Sequence, residues 1–135
     1  MLKLTFHADA AQELRALRTT DPDNYYSLVA ILDEIRGDQR ILAKLTEPGV
    51  WKIGSGKFDI TKYSFFWNSG FDVWRIKTID FEQGVSPYRV LYAYDWKQQY
   101  FHVLAIMPRH HDYQNDKDLT ERLLKAYREL GISIN

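Results

Sequence analysis

The chain has 135 residues, 45% hydrophobic and 27% charged, which is enough for one domain with a buried core and unlike a disordered tail. Eighteen basic residues balance eighteen acidic ones, nine of each up to Gly70 and nine of each beyond, so a nucleic-acid partner would need a locally clustered basic patch. The absence of cysteine excludes disulfides and thiolate metal sites, and no apolar run approaches the roughly 18 residues of a membrane span.

The opening "MLKLTFHADA" is too short for the apolar region of a signal peptide, so a cytoplasmic protein is expected. Residues 2–6, "LKLTF", alternate apolar with polar and predict a short strand. Asp9 with Gln12 three residues on predicts the cap of a helix carrying Leu14 and Leu17. A second helix is marked by Asp21 as cap, Pro22 at its first position and Gly37 as its stop. Between them Tyr25, Leu28, Val29, Leu32 and Ile35 form one apolar stripe, so the two helices make an αα-hairpin.

Residues 46–71 mix glycines with aromatics. "VWKI" and "YSFFW" suggest short strands, and a hairpin or packed insertion is expected, because a structureless loop of this length is unusual in a compact domain. Three strands follow at 72–79, 88–95 and 100–107, the last two joined by the hairpin-sized "WKQQ". A closing helix is predicted from Asp118 and Glu121 at capping-box spacing, from Leu119, Leu123, Leu124, Tyr127 and Leu130, and from Gly131 as terminator. The expected fold is one α+β domain over 1–135 with an insertion at about 46–71. It combines an N-terminal strand and αα-hairpin, an antiparallel sheet of about four strands, helices on one face and a C-terminal helix.

Side chains alternate across a strand, so "VWRIKTI" puts Arg75 and Lys77 on one face and Trp74 and Ile76 on the other. In "YRVLYAY", Arg89 lies opposite Tyr88, Val90 and Tyr92, and Arg109 follows the last strand. Together these basic residues could hold a phosphodiester and offset the charge that develops when it is attacked. Taken singly, each is more simply the kind of residue that keeps a sheet face soluble, and only the alternating set points to an anion site. His102 falls within an apolar strand, where a structural role is expected. His110 and His111 sit at a strand end, and both proton transfer and a structural role are open to them. No regular His/Asp/Glu ligand spacing appears, so no metal is expected.

"WRIK", "YRVLY" and "FHVLAIMPR" with a tyrosine shortly after resemble the RelE/ParE superfamily of toxins from bacterial type II toxin–antitoxin systems, over residues 72–113. The resemblance implies a RelE-like, ribosome-dependent mRNA endoribonuclease that inhibits translation, needs no cofactor, and uses the substrate's own 2′-hydroxyl as nucleophile. It implies a cognate antitoxin, the ribosome and mRNA as partners, and no membrane. By position it makes Arg75 and Lys77 the paired basic residues, one of them the general base. Arg89 becomes the transition-state clamp, Arg109 a leaving-group or charge-stabilising residue, and Tyr113 an RNA-orienting residue. Like charges disfavour a protonated lysine, so Lys77 is expected as base, with His110 or His111 as acid. A ParE-like gyrase-binding toxin and a catalytically inactive interaction protein with this fold remain the alternatives.

Overall fold

The structure is a computed structural model that describes residues 1–112 and 115–132. Its strands are β1 (Lys3–Phe6), β2 (Gly49–Ile53), β3 (Gly56–Lys62), β4 (Val73–Asp80), β5 (Gly84–Asp95) and β6 (Tyr100–Pro108). The helices are α1 (Ala8–Thr20), α2 (Pro22–Arg36), α3 (Gln39–Leu42), α4 (Ser64–Trp67) and α5 (Lys117–Glu129), with a 3₁₀ turn at Ala43–Thr46. The α+β class stands, but the expected sheet of about four antiparallel strands is corrected. One six-stranded mixed sheet runs in the order β1-β6-β5-β4-β3-β2, with β1 parallel to β6 and every other pair antiparallel.

The difference arises in 46–71, which extends the sheet. "VWKI" forms β2, and "KFDITK" pairs with it and, along its whole length, with β4. Gly56 permits this second pairing. A Cβ there would stand 2.2 Å from the Ile79 carbonyl oxygen, so any side chain would push β3 off β4. "YSFFW" is helical at Ser64–Trp67, not a strand. A helical turn brings Tyr63 and Phe66, three apart, onto one side with ring centroids 5.0 Å apart, whereas a strand would send them to opposite faces.

Helices lie on both faces, not on one. On the first, Leu28, Ile31, Leu32 and Ile35 of α2 pack with Phe58, Ile60, Trp74, Ile76, Val90 and Tyr92. On the second, Leu119, Leu123, Ala126 and Tyr127 of α5 join Tyr63 and Phe66 over Val73, Leu91, Ala93, Leu104 and Ala105. A bulge in β6 between the partners of Leu91 and Tyr92 lets Leu104 and Ala105 both serve this second core. The cap of α1 is His7, whose ring nitrogen accepts from the Asp9 amide, and the cap of α5 is Asp116, not Asp118. Beyond the reach of β1, the Ile106 amide of β6 donates to Glu13, whose carboxylate also takes both terminal nitrogens of Arg122. One acidic side chain thus ties α1 and α5 to the sheet edge. No helix among the described residues is long and apolar enough to cross a membrane.

His102 is buried, and its Nδ1 lies 2.9 Å from the Thr5 hydroxyl. Burial holds its pKa below the ordinary histidine value, aided by His7 and opposed by the Asp95 carboxylate. A depressed folded value means that the unfolded chain binds the proton more readily. The stability that this group contributes is therefore complete above the ordinary histidine range and is lost as pH falls through the lowered value. Thermal unfolding should show a midpoint that declines between pH 7 and pH 5, with a shallower decline in His102→Gln; an identical slope in the variant would refute this role.

Candidate functional site

The second sheet face is covered only in part. Where α4 and α5 leave it open, Asp59, Thr61, Arg75, Lys77 and Arg89 line a hollow of about 200 Å³. Register builds it. Asp59 of β3 stands opposite Lys77 of β4, and Lys77 opposite Arg89 of β5, so three charged side chains form one row across three strands. Thr61 and Arg75 form the next row, which then runs into buried Leu91. A pairing irregularity between Lys77 and Ile79 interrupts the β4–β5 ladder just past the charged row, and pairing resumes at Ile79 with Val85.

The same alternation that puts Phe58, Ile60, Trp74, Ile76 and Val90 in the first core forces Asp59, Thr61, Arg75, Lys77 and Arg89 onto the other face. Tyr63 supports Arg75, whose guanidinium carbon lies 5.5 Å from the ring centroid. Lys77 Nζ lies 3.8 Å from Asp59 Oδ2, an ion-pair distance too long for a hydrogen bond. Both side chains are about a third exposed (34% and 27%), so this pair contributes little to stability and its groups are reachable from solvent. The Arg89 Nε is buried without a hydrogen-bond partner among the described residues. Three cations against one carboxylate leave the hollow positive, although the chain as a whole is neutral. An oxyanion such as a phosphate, with several acceptor oxygens, satisfies that arrangement.

The turn after β6 is a separate place. Arg89 is paired with Met107, and Arg109 follows two residues later, its amide donating to the Pro87 carbonyl at 2.7 Å. An Arg109 terminal nitrogen lies 3.2 Å from His110 Nε2 on the surface. His111 Nε2 lies 2.7 Å from Asp116 Oδ2, while the other oxygen of Asp116 accepts from the Leu119 amide at the start of α5. The Leu119 amide first, and then His111, hold the Asp116 carboxyl below its ordinary range. His111 lines an open depression with Asp112, Asn115, Asp116, Lys117 and Asp118, an acidic setting that would repel phosphate. Arg75, Lys77 and Arg89 are therefore brought together, while Arg109, His110 and His111 do not line their hollow. Tyr113 lies outside the described residues.

Asp59 and Thr61 were missed by sequence reasoning. The signal was present in "KFDITK", whose alternation matches that of "VWRIKTI", but only the β3–β4 register brings the two strands side by side. Among the described residues no group of three or more His, Cys, Asp or Glu side chains could hold a metal ion.

No protein-family model and no curated protein matches the chain. Among solved structures, it is similar to the crystal structure of the archaeal RelE–RelB complex from Pyrococcus horikoshii OT3, with 18% identity over 82% of this chain and 97% of that one, and a TM-score of 0.41, a likeness too shallow to assign a family.

Proposed function

We propose that this chain is a RelE-like toxin that cuts mRNA on the ribosome, with the hollow as its phosphodiester site. The observation that carries the reading is the meeting of Arg75, Lys77 and Arg89 on one open sheet face around a hollow with room for a phosphate group. In the reaction proposed, the 2′-oxygen bonds to phosphorus as its proton passes to the Lys77–Asp59 pair. The bond from phosphorus to the 5′-oxygen breaks, leaving a 2′,3′-cyclic phosphate and a 5′-hydroxyl. Arg75 and Arg89 offset the charge on the non-bridging oxygens. The leaving oxygen would take its proton from His110 only once RNA spans both the hollow and the turn beyond it, where His110 lies exposed beside Arg109; His111 is engaged by Asp116. In this reading the partners are an antitoxin, the ribosome and mRNA, and the protein works in the cytoplasm.

The test is a reconstituted translation reaction with primer extension on the mRNA. Ribosome-dependent cuts support the reading, and full-length mRNA in the presence of folded protein sinks it. One feature favours the second reading, a non-catalytic interaction protein. Among the described lining residues of the hollow there is no histidine to act as acid.

Asp59→Asn separates the two members of the proton-accepting pair. If Asp59 takes the proton, the neutral amide should lower single-turnover cleavage about 100-fold while leaving RNA affinity equal or tighter, because a negative charge beside the phosphate has gone. If Lys77 takes it, Asp59→Asn should retain cleavage and Lys77→Met should lose it. Slower cleavage caused by weaker RNA binding in Asp59→Asn would contradict both assignments.

A further inference from the structure

Three of the chain's four tryptophans converge on a second cleft, built largely by the 46–71 segment and the β5–β6 hairpin. Its volume is about 640 Å³, and its walls include Trp67, Trp74, Tyr94 and Trp96. Lys62 and Asp72 complete the part that matters here. The cleft lies behind the sheet from the hollow. Lys62, Trp74 and Tyr92 share one cross-strand row on the first face, next to the row of Thr61 and Arg75 on the second.

Trp74 is buried and braces Trp67, Trp96 is the ring held open to solvent, and lysines lie over these rings. Lys62 Nζ lies 4.4 Å from the Trp67 ring centroid and 6.0 Å from that of Trp74, and Lys97 Nζ lies 5.6 Å from that of Trp96. Trp67 and Trp74 meet edge to face at 5.2 Å, while Tyr94 stacks on Phe101 at 4.5 Å and is fixed by it. Asp72 is buried and accepts the indole N–H of Trp74, so the floor is polar and held in place. The indole nitrogen of Trp67 is buried without a partner among the described residues.

Trp96 is the informative residue. It is 54% exposed, and the turn that carries it does not need it. Asp95 closes that turn by accepting from the Lys97 and Gln98 amides, and Gln99 supplies the left-handed residue at φ 61°. A large indole held out to solvent beside a cleft of indoles, with lysines over the rings, is the surface that a single-stranded nucleic acid uses. Bases stack on the aromatic faces regardless of sequence, and the lysines move to the phosphates.

The geometry points to this cleft as a stacking site for a nucleobase of a single-stranded nucleic acid, with its phosphate taken by Lys62. The site does not depend on cleavage in the hollow, and the two can be tested apart. The probes are 2′-O-methyl RNA and DNA hexamers of adenine nucleotides, neither of which presents a 2′-hydroxyl for attack. Both should quench tryptophan fluorescence, because the stacking surface is indifferent to the sugar. In Trp96→Ala, which removes an exposed side chain and should leave folding intact, affinity measured by polarisation of a labelled hexamer should fall about tenfold. Lys62→Ala should weaken binding and lower the salt slope by about one. Arg89→Ala should still quench, which separates this site from the hollow even if the nuclease reading fails. Equal affinity of wild type and Trp96→Ala would overturn the proposal. So would quenching that vanishes in Arg89→Ala alone, or concentration-dependent self-association that Trp96→Ala abolishes, since the occupant would then be a second copy of the chain.

Discussion

Arg89→Ala should reduce ribosome-dependent mRNA cleavage by about 100-fold or more, the range expected when one preorganised donor to a developing oxyanion is removed. Arg89 occupies one end of the row that runs through Lys77 to Asp59, and its guanidinium has donor capacity to spare, with Nε buried and unpartnered among the described residues. Arg89→Lys should recover only part of the loss, because an ammonium cannot reproduce the planar fork that binds two phosphate oxygens at once. Arg109→Ala should cost less, since Arg109 belongs to the turn beyond the hollow and contacts His110 there. The measurement is the rate of appearance of primer-extension stops in a translation reaction, with folding of each variant verified by its urea midpoint. Undiminished cutting by Arg89→Ala would remove the hollow from the reaction. A larger loss in Arg109→Ala than in Arg89→Ala would shift the reacting phosphate toward the turn.

Phe58→Ala should destabilise the fold by about 3–5 kcal/mol, the usual cost of emptying a fully buried phenylalanine site. Phe58 lies in β3, inside the segment that reads as an insertion, yet it is completely buried in the core shared with α2, β4 and β5. Its strand is held from both sides, by β2 and β4, and the tip of its hairpin is bound by Glu34 of α2 through the Ser55 amide and hydroxyl. With no second position for the strand, the cavity should persist and the cost should sit high in the range. Urea unfolding provides the measurement. A loss below about 1 kcal/mol would mean that the β2–β3 hairpin is an appendage and the domain folds without it. The same variant should weaken the candidate site, because Asp59 and Thr61 reach the hollow only through the β3–β4 register.

The sequence by itself determined the elements whose signals are local. Pro22 and Gly37 bound α2 as read, because proline geometry and helix stops act within a few residues. Asp21 precedes the helix without capping it by its side chain, which accepts from the Asn24 side-chain amide and the Tyr88 hydroxyl instead. The alternation of Trp74, Arg75, Ile76 and Lys77, and of Tyr88, Arg89 and Val90, assigned each side chain to a face before any fold was known, because the period of a strand is two. Tertiary structure decided what depends on partners distant in the chain. Alternation in "LKLTF" carries no direction, so the parallel pairing of β1 with β6 was not legible. Nothing in "YSFFW" excludes a strand until Tyr63 and Phe66 must reach the same core. A strand's polar face is written in its own residues, but whether a helix covers it depends on others, and only α4 and α5 leave Arg75, Lys77 and Arg89 their opening. Asp59 joins them for the same reason. Which charge faces Lys77 is a property of register, and register is set by the packing of both strands at once.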